Sequence, residues 1–432
     1  MAGFGYDQNS LKEKTHPDKG LLDSVSLNHP ILIAHASGHM GAANTPALQA
    51  LGISADSPDP EGGRIGREPG SRDPNGFLEE AAFLSVSAKI PQPCLSDQCR
   101  QVAEAQEIYL QNGVTTIQDG LTKQAEYALL QAAAQSGLLK ADVVCYADLK
   151  NCPGLGECVS RQYDNRLRMG GYKIFLDGSP QGHTAYMTQP YAESRDGYRG
   201  YPVYTDEEVC ALTETAYREG AQLLAHCNGD AAAQQWINAV ARAEKRFPGR
   251  GLRPVMIHAQ LVRPDQLREM AALSMIASFF AAHIYEWGDV HLQNFGRERG
   301  GRISPAGSAH RAGTVYTFHQ DTPVLPPDML TTMWCAVNRV TREGVQLDET
   351  EKISVLDAVK GVTVNAAYQY FEESRKGSIA PGKNADFVLL DHNPLRMDPQ
   401  KLREARVLAT IKDGVYVYER SGAGLSLPRA NE

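Results

Sequence analysis

The chain has 432 residues, of which 42% are hydrophobic and 22% charged, and its formal net charge at pH 7 is -8. A chain of this length can bury a large core, and we expect either two domains or one barrel with appendages. The acidic balance and the scattered Lys and Arg residues argue against nucleic-acid binding. No apolar stretch approaches the roughly 20 residues that a membrane span needs. The partner we expect is therefore a small-molecule substrate, with no nucleic acid and no membrane.

Residues 1–112 are predicted to form an N-terminal segment that precedes the barrel. The sequence predicts a buried strand at residues 31–34 and a short helix at residues 45–51. An irregular loop rich in Pro, Gly, Asp and Arg follows at residues 57–76, and two further helices are predicted at residues 77–87 and 95–111. The loop is predicted from the density of helix- and strand-breaking residues.

Residues 113–372 alternate between short apolar strands and helices. The predicted strands are residues 113–117, 143–147, 172–176, 222–226, 254–258, 275–279 and 314–321. Alternation of this length predicts an α/β fold with a parallel sheet covered on both faces, and it favours a closed (β/α)8 barrel of the TIM type over an open sheet. Seven of the eight strands of such a barrel can be identified, and we expect the missing strand to be the first.

Residues 373–432 are predicted to consist mainly of β-strands. Strands are expected at residues 377–379, 385–390 and 411–417, and the last contains a hairpin turn at Asp413-Gly414.

The eight cysteines are dispersed and include no Cys-x-x-Cys pair, which argues against a zinc knuckle or a redox motif. The first residues lack the basic and apolar regions of a secretory signal peptide. We therefore expect reduced thiols and a cytoplasmic location.

Four of the predicted barrel strands carry a residue that could bind a metal ion, namely Lys173, His226, His258 and Asp321. Active sites of barrel enzymes lie at the C-terminal ends of the strands. A single strand-end histidine is more often a hydrogen-bonded core residue, and a single lysine is as often part of an ion pair. Four such residues in order favour a metal centre. A buried, neutral lysine can also capture carbon dioxide and become an anionic ligand that bridges two metals.

Further residues have open alternatives. His283 follows the seventh predicted strand and could donate to a developing oxyanion in catalysis and substrate binding, or be a solvated loop residue. Asp177 and His39 could bind substrate, or else cap a loop and shape a Gly-rich turn. His319 is predicted to lie in the core or to support Asp321, because strand side chains repeat every two residues.

Several longer sequence motifs contain or neighbour the candidate site residues. They are His35-Ala36-Ser37-Gly38-His39, Gly113-Val114-Thr115-Thr116, Asp177-Gly178-Ser179, Ile257-His258-Ala259-Gln260, His319-Gln320-Asp321-Thr322-Pro323-Val324 and Gly377-Ser378-Ile379-Ala380-Pro381-Gly382-Lys383-Asn384-Ala385-Asp386. Together they resemble the amidohydrolase superfamily, in particular its YtcJ-like branch, also called amidohydrolase family 3. The resemblance covers nearly the whole chain. It implies that residues 1–112 fold over the mouth of the barrel and that residues 373–432 form a small, incomplete β-sandwich.

The resemblance implies roles for the matching residues. Lys173 would be a carbamylated ligand that bridges two metals, His226 and His258 would hold the second metal, and Asp321 would bind the first metal and shuttle a proton. The implied cofactor is a divalent metal, with zinc the first choice and one or two ions bound. The implied reaction is hydrolysis of an amide-type C–N bond, other than a peptide bond, by metal-activated water.

No His-x-His pair occurs in the sequence, although the resemblance implies one on the first barrel strand. Two hypotheses follow, a metal-dependent amidohydrolase and, as the alternative, a truncated and catalytically impaired homologue that keeps the fold without a complete metal centre. A barrel without its first strand has an unpaired edge, so we also expect poor solubility or self-association, for example as a homo-oligomer, unless another segment fills the gap.

Overall fold

The computed structural model describes residues 1–8, 11–35, 40–87, 89–90 and 93–422. They divide into two compact units, Met1–Cys94 with Thr322–Val324, and Leu95–Asp321 with the residues from Leu325 onward. The predicted domain boundaries at residues 112 and 372 remain predictions. Among the described helices, none is both long enough and apolar enough to cross a membrane.

The first unit is built on a five-stranded mixed sheet with three short helices. Its elements are β1 (Ala2–Tyr6), α1 (Lys19–Val25), β2 (Leu32–His35), β3 (Met40–Ala43), α2 (Thr45–Leu51), β4 (Gly63–Arg67), β5 (Pro74–Glu80) and α3 (Ala81–Ser87). The strand order is β1-β2-β3-β5-β4. Only the β1–β2 pair of this sheet is parallel.

Strands β4 and β5 correct the sequence analysis, which predicted an irregular loop over residues 57–76 and a helix from residue 77. Buried and half-buried residues alternate along β5, as a strand with one covered face requires. Gly63 at the start of β4 allows a close approach, because a Cβ there would lie 2.3 Å from the backbone nitrogen of Ala82. The loop-like composition of β4 therefore serves tight packing rather than irregular structure.

The second unit contains a seven-stranded parallel sheet whose strands follow one another in sequence order. The strands are β6 (Thr116–Thr122), β7 (Asp142–Asp148), β8 (Leu167–Phe175), β9 (Gln222–Cys227), β10 (Val255–His258), β11 (Ile276–Phe279) and β12 (Tyr316–Phe318). All seven residues of β7 are buried, as expected for a sheet covered on both faces. The predicted α/β class is confirmed. Strands β6 and β12 are the two edges of the described sheet, and the missing first strand remains a prediction.

Helices accompany this sheet in the alternation that the sequence predicted. They are α4 (Leu95–Gln111), α5 (Gln124–Gln135), α6 (Asp206–Glu219), α7 (Asp230–Arg246), α8 (Pro264–Ala272), α9 (His283–Glu286), α10 (Gly288–Gly301) and α11 (Ala306–Ala312). Helices α9 and α10 occupy the region between β11 and α11. Short 3-10 helices are formed by Pro153–Cys158, Glu349–Glu351 and Pro399–Glu404.

The last part of the chain has three helices and a three-stranded antiparallel sheet. The elements are α12 (Met329–Asn338), α13 (Val355–Val362), α14 (Val364–Gln369), β13 (Phe387–Leu390), β14 (Val407–Lys412) and β15 (Val415–Glu419). The hairpin predicted at Asp413-Gly414 is confirmed. The strand predicted at residues 377–379 is wrong, because Ile379 lies outside any strand and is 86% exposed. The incomplete sandwich remains a prediction.

A buried ion cluster joins this antiparallel sheet to the parallel one. Asp142 at the start of β7 accepts contacts from two ammonium groups, with its Oδ2 lying 2.7 Å from Lys376 Nζ and 3.0 Å from Lys412 Nζ. Lys412 at the end of β14 is 1% exposed, and its Nζ also lies 3.2 Å from Asp386 Oδ1. One carboxylate thus holds two buried cations from distant parts of the sequence.

Candidate metal centre

The candidate centre lies at the C-terminal ends of β8, β9 and β10, which are neighbours in the sheet. Lys173 belongs to β8, His226 to β9, and His258 is the last residue of β10. In the register of the parallel pairs, His226 stands beside Phe175 on one side and Ile257 on the other. Sheet neighbours whose strands end at one edge bring their terminal side chains together, as the sequence predicted for His226 and His258.

Three imidazole rings form a continuous chain of contacts in which His258 is central. His258 Nε2 lies 3.0 Å from His226 Nδ1, and His258 Nδ1 lies 3.0 Å from His319 Nε2. The outer nitrogen of His319, Nδ1, lies 2.9 Å from Ser278 Oγ on β11. Both ring nitrogens of His258 therefore face another imidazole.

Asp321 joins this group from beyond the strand that was predicted to carry it. Strand β12 ends at Phe318, so Asp321 lies in the following turn and is exposed. One ligand atom each from His258, His319 and Asp321 lies within 4.8 Å of the others. The sequence analysis predicted a core or supporting role for His319, and its position two residues before Asp321 was the signal for a shared site.

Lys173 is buried, and burial lowers the pKa of its ammonium group, while the negative charges of Asp321 and Asp119 oppose that shift. A lowered pKa favours the neutral amine, the form that can react with carbon dioxide. Asp119 on β6 was missed because the sequence analysis ended this strand two residues earlier. Its Oδ2 accepts a hydrogen bond of 2.5 Å from Thr122 Oγ1, and burial raises its pKa.

The three histidines of the chain of contacts are held neutral. Burial is the largest cause, and it lowers the pKa of His226 and of His319 to about 4 and that of His258 well below its usual value. The positive charge of Lys173 adds to the shift at all three. A neutral imidazole has a lone pair available, so these side chains are in the form that binds metals.

Asp177 supports the centre through the backbone. Its buried carboxylate accepts hydrogen bonds from the N–H groups of Tyr186, Asn228 and Gly229 at 3.0, 2.9 and 2.7 Å. Burial raises the pKa of Asp177 to about 7, and the three N–H donors oppose that shift. The Asn228 Nδ2 lies 3.0 Å from His226 Nε2, so the loop capped by Asp177 also contacts a candidate ligand. Its contact with substrate remains a prediction.

His283 begins α9 and is buried, which distinguishes it from the solvated loop residue of the open alternative. It lies one aromatic ring away from the candidate ligands, because the Phe280 ring centroid is 4.5 Å from that of His283 and 5.3 Å from that of His319. His283 Nδ1 lies 3.1 Å from His291 Nε2 on α10. His39 lies outside the described residues.

The residues present fit a divalent metal. Ligand nitrogens of a tetrahedral zinc, at bonds of ~2.0–2.1 Å, lie roughly 3.3 Å apart. The two contacts between imidazole nitrogens, each 3.0 Å, are close to that spacing, and because they use opposite nitrogens of His258 they are two separate candidate ligand pairs. Neutral imidazoles with one carboxylate suit zinc, and they also accept manganese, iron or cobalt.

Buried histidines give an expected pH dependence of stability. Burial lowers the pKa of His291 to about 3 from an ordinary value of 6.5. Between these pH values the unfolded chain binds a proton that the folded chain does not. As the pH falls through this range, the free energy of unfolding therefore decreases by about 1.4 kcal/mol per pH unit for this group. Urea unfolding of the metal-free protein between about pH 6.5 and 4 measures the slope.

His291→Asn should reduce that slope by the contribution of one proton, about 1.4 kcal/mol per pH unit. The control is His310→Asn, which changes an exposed histidine of α11 and should leave the slope unchanged. Equal slopes for both variants and the parent protein would contradict the assignment.

A family model described as an amidohydrolase family matches residues 1–418. The chain is 28% identical over 442 residues to an N-substituted formamide deformylase of Arthrobacter pascens, and the match covers 98% of this chain and 80% of that protein. It is 27% identical over 438 residues to the putative amidohydrolase YtcJ of Bacillus subtilis (strain 168), with the same two coverages of 98% and 80%.

Among solved structures, the fold is similar to that of an uncharacterized metal-dependent hydrolase from Pyrococcus horikoshii OT3. The TM-score is 0.75 at 24% sequence identity, and the match covers 92% of this chain and 78% of that chain. At this level of identity the likeness shows a shared fold.

Proposed function

The chain belongs to the amidohydrolase family, and from this premise we propose that it is a metal-dependent hydrolase of amide-type C–N bonds. The observation that carries the proposal is the convergence of His226, His258 and His319, joined by two contacts of 3.0 Å. Three neutral imidazoles beside a carboxylate offer nitrogen and oxygen donors of the kind that divalent metals bind.

In this proposal His226, His258 and Asp321 hold a divalent metal, with zinc the first choice and one or two ions bound. Lys173 contributes as a carbamate, and His319 is added to the set from its position beside His258. When bound, such a metal polarises a carbonyl and lowers the pKa of a water molecule toward neutrality.

The remaining steps belong to side chains. Asp321, whose carboxylate is exposed beside the imidazoles, accepts a proton from the attacking water and returns it to the leaving nitrogen. His283 donates a hydrogen bond to the substrate carbonyl oxygen as negative charge develops there. The buried Phe280 ring packs against both His283 and His319.

The substrate class follows from the chemistry and from one relative. A relative described as an N-substituted formamide deformylase covers 98% of this chain, so N-substituted formamides are our first candidate substrates and other N-acyl compounds the second. A small molecule remains the proposed partner. Homo-oligomerisation and a cytoplasmic location remain predictions.

Metal removal tests the proposal directly. The purified protein should release an amine from at least one N-substituted formamide or N-acyl amino acid, and dialysis against a chelator should lower kcat/KM by roughly 10³-fold. Added zinc should restore the rate. Matched esters report whether C–N bonds are preferred over C–O bonds.

Metal-loaded protein that turns over no amide in the panel, or turnover that survives complete metal removal, would refute the proposal.

The alternative is an impaired homologue that keeps the fold. The absence of any His-x-His pair in the sequence favours it, because such a pair would supply two further ligands. This alternative predicts a cooperatively melting protein that binds less than one metal per chain and has no turnover. Metal analysis of the protein as isolated therefore separates the two functions.

A further inference from the structure

A second buried histidine lies behind His283. His291 on α10 is fully buried, and its Nε2 lies 3.1 Å from His283 Nδ1. The two ring planes differ by 14° and the ring centroids are 5.4 Å apart. The distance between the centroids exceeds the distance between the two nitrogens by about two ring radii. Both nitrogens therefore lie near the line that joins the centroids, and the rings meet edge to edge in a common plane. That direction is the one along which an imidazole nitrogen donates or accepts a hydrogen bond.

The surroundings of the pair decide which ring donates. The other nitrogen of His291, Nδ1, is buried and has no hydrogen-bond partner among the described residues. A buried N–H without an acceptor is costly, whereas a bare ring nitrogen loses only an acceptor contact. The proton of the neutral His291 ring therefore belongs on Nε2, from which it is donated to His283.

This direction fixes the tautomer of His283. Burial lowers the pKa of both histidines, so each ring carries one proton. Because His283 Nδ1 accepts the hydrogen bond from His291, the proton of His283 must be on Nε2. Within the part of the chain that the structure describes, no protein group takes that Nε2–H, so it is available as a donor.

We propose that His291 is a positioning residue that holds His283 in the Nε2–H tautomer and so presents an N–H donor to the carbonyl oxygen of the substrate. The catalytic part of this inference rests on the proposed function, whereas the tautomer does not. In the opposite tautomer His283 would offer a lone pair to the developing oxyanion and would repel it.

Kinetics of two His291 variants test the catalytic part. His291→Leu removes the donor, and we expect kcat to fall roughly 10–100-fold while KM changes less than about threefold, because the lost interaction acts in the transition state. His291→Gln keeps an N–H donor on a side chain of similar reach and should recover most of the rate. In the His283→Ala background, adding His291→Leu should cause no further loss, since His291 acts through His283.

The tautomer itself is read by nitrogen NMR of protein labelled with 15N-histidine. His283 signals are assigned by their disappearance in His283→Ala. We expect a protonated-type shift for Nε2 and an unprotonated-type shift for Nδ1 of His283 in the parent protein, and a mixture of tautomers in His291→Leu. Thermal melting of each variant shows whether it folds, and if His291→Leu does not, the spectrum of the parent protein still decides.

The outcomes separate this inference from the proposed function. A parent protein that hydrolyses no amide would refute the function while leaving the NMR test intact. A proton found on Nδ1 of His283 would overturn the inference whatever the activity. Active protein in which His291→Leu retains its full kcat, or in which His291→Gln is as slow as His291→Leu, would also overturn it.

Discussion

We expect His258→Ala to lower kcat/KM by roughly 10³-fold or more and to remove most of the bound metal. A catalytic metal contributes several kcal/mol of transition-state stabilisation, and each 1.36 kcal/mol corresponds to a tenfold change in rate. His258 is the central ring of the group, in contact with His226 on one side and His319 on the other, so its loss leaves two imidazoles without a common neighbour.

The matched control is His310→Ala, which makes the same chemical change at an exposed position of α11. Metal content by elemental analysis, kcat/KM and the melting temperature should be measured for both variants. The prediction fails if His258→Ala keeps its metal and its rate. A similar loss in His310→Ala would show that the effect is not specific to the centre.

The second large effect is expected in stability, from Asp142→Asn. The substitution removes the negative charge that two buried ammonium groups share, those of Lys376 and Lys412. Removing one partner of a buried ion pair costs about 3–5 kcal/mol where the remaining charge is left uncompensated. We expect a cost toward the lower end of that range, because Glu372 stays beside Lys376 and both Asp386 and Asp413 stay beside Lys412. We expect the midpoint of the denaturant transition of the second unit to move to clearly lower denaturant.

Glu298→Gln is the control, since Glu298 is 89% exposed and its carboxylate lies 3.9 Å from Arg302. An exposed pair of this kind contributes about 0–1 kcal/mol, so its midpoint should hardly move. Equal shifts of the denaturant midpoint in the two variants would contradict the prediction that the buried ion cluster around Asp142 stabilises the second unit. Activity of the folded fraction reports whether the ion cluster influences the centre at the other end of the strands.

The parallel sheet could be predicted from the sequence because strands buried on both faces leave continuous apolar runs. The run before His226 and the run before His258 mark both the strand and its C-terminal end. The two residues were therefore predicted together, as a consequence of the fold that carries them. Lys173 was found in the same way, inside the run of β8.

Other parts could not be predicted, because their signals come from tertiary packing. Strand β4 reads as a loop, since its glycines mark close approaches that are visible only once β5 lies beside it. Helix α10 also reads as a loop, and its Gly296 has a left-handed φ of 73°, so the helical period is interrupted. His291 was missed for this reason.

At the centre itself, the error concerned the end of a strand. The sequence analysis extended β12 to Asp321, which made His319 a neighbour on the same strand face rather than a partner in the site. In the structure the strand ends at Phe318, and both residues lie in the segment that follows it, with Asp321 in a turn. The two-residue alternation of side chains predicts which residues share a face within a strand, and it does not apply beyond the end of the strand.

The order of the seven parallel strands has a consequence for synthesis on the ribosome. Each new strand pairs with the one made just before it, so the sheet can grow by short-range steps while translation continues. The ammonium group of Lys412 reaches Asp142 only after all seven of those strands have emerged. Nascent chains halted before β14 would therefore contain Arg166 and Lys376, the other two partners of Asp142, and would lack the ammonium group of Lys412 that completes the ion cluster.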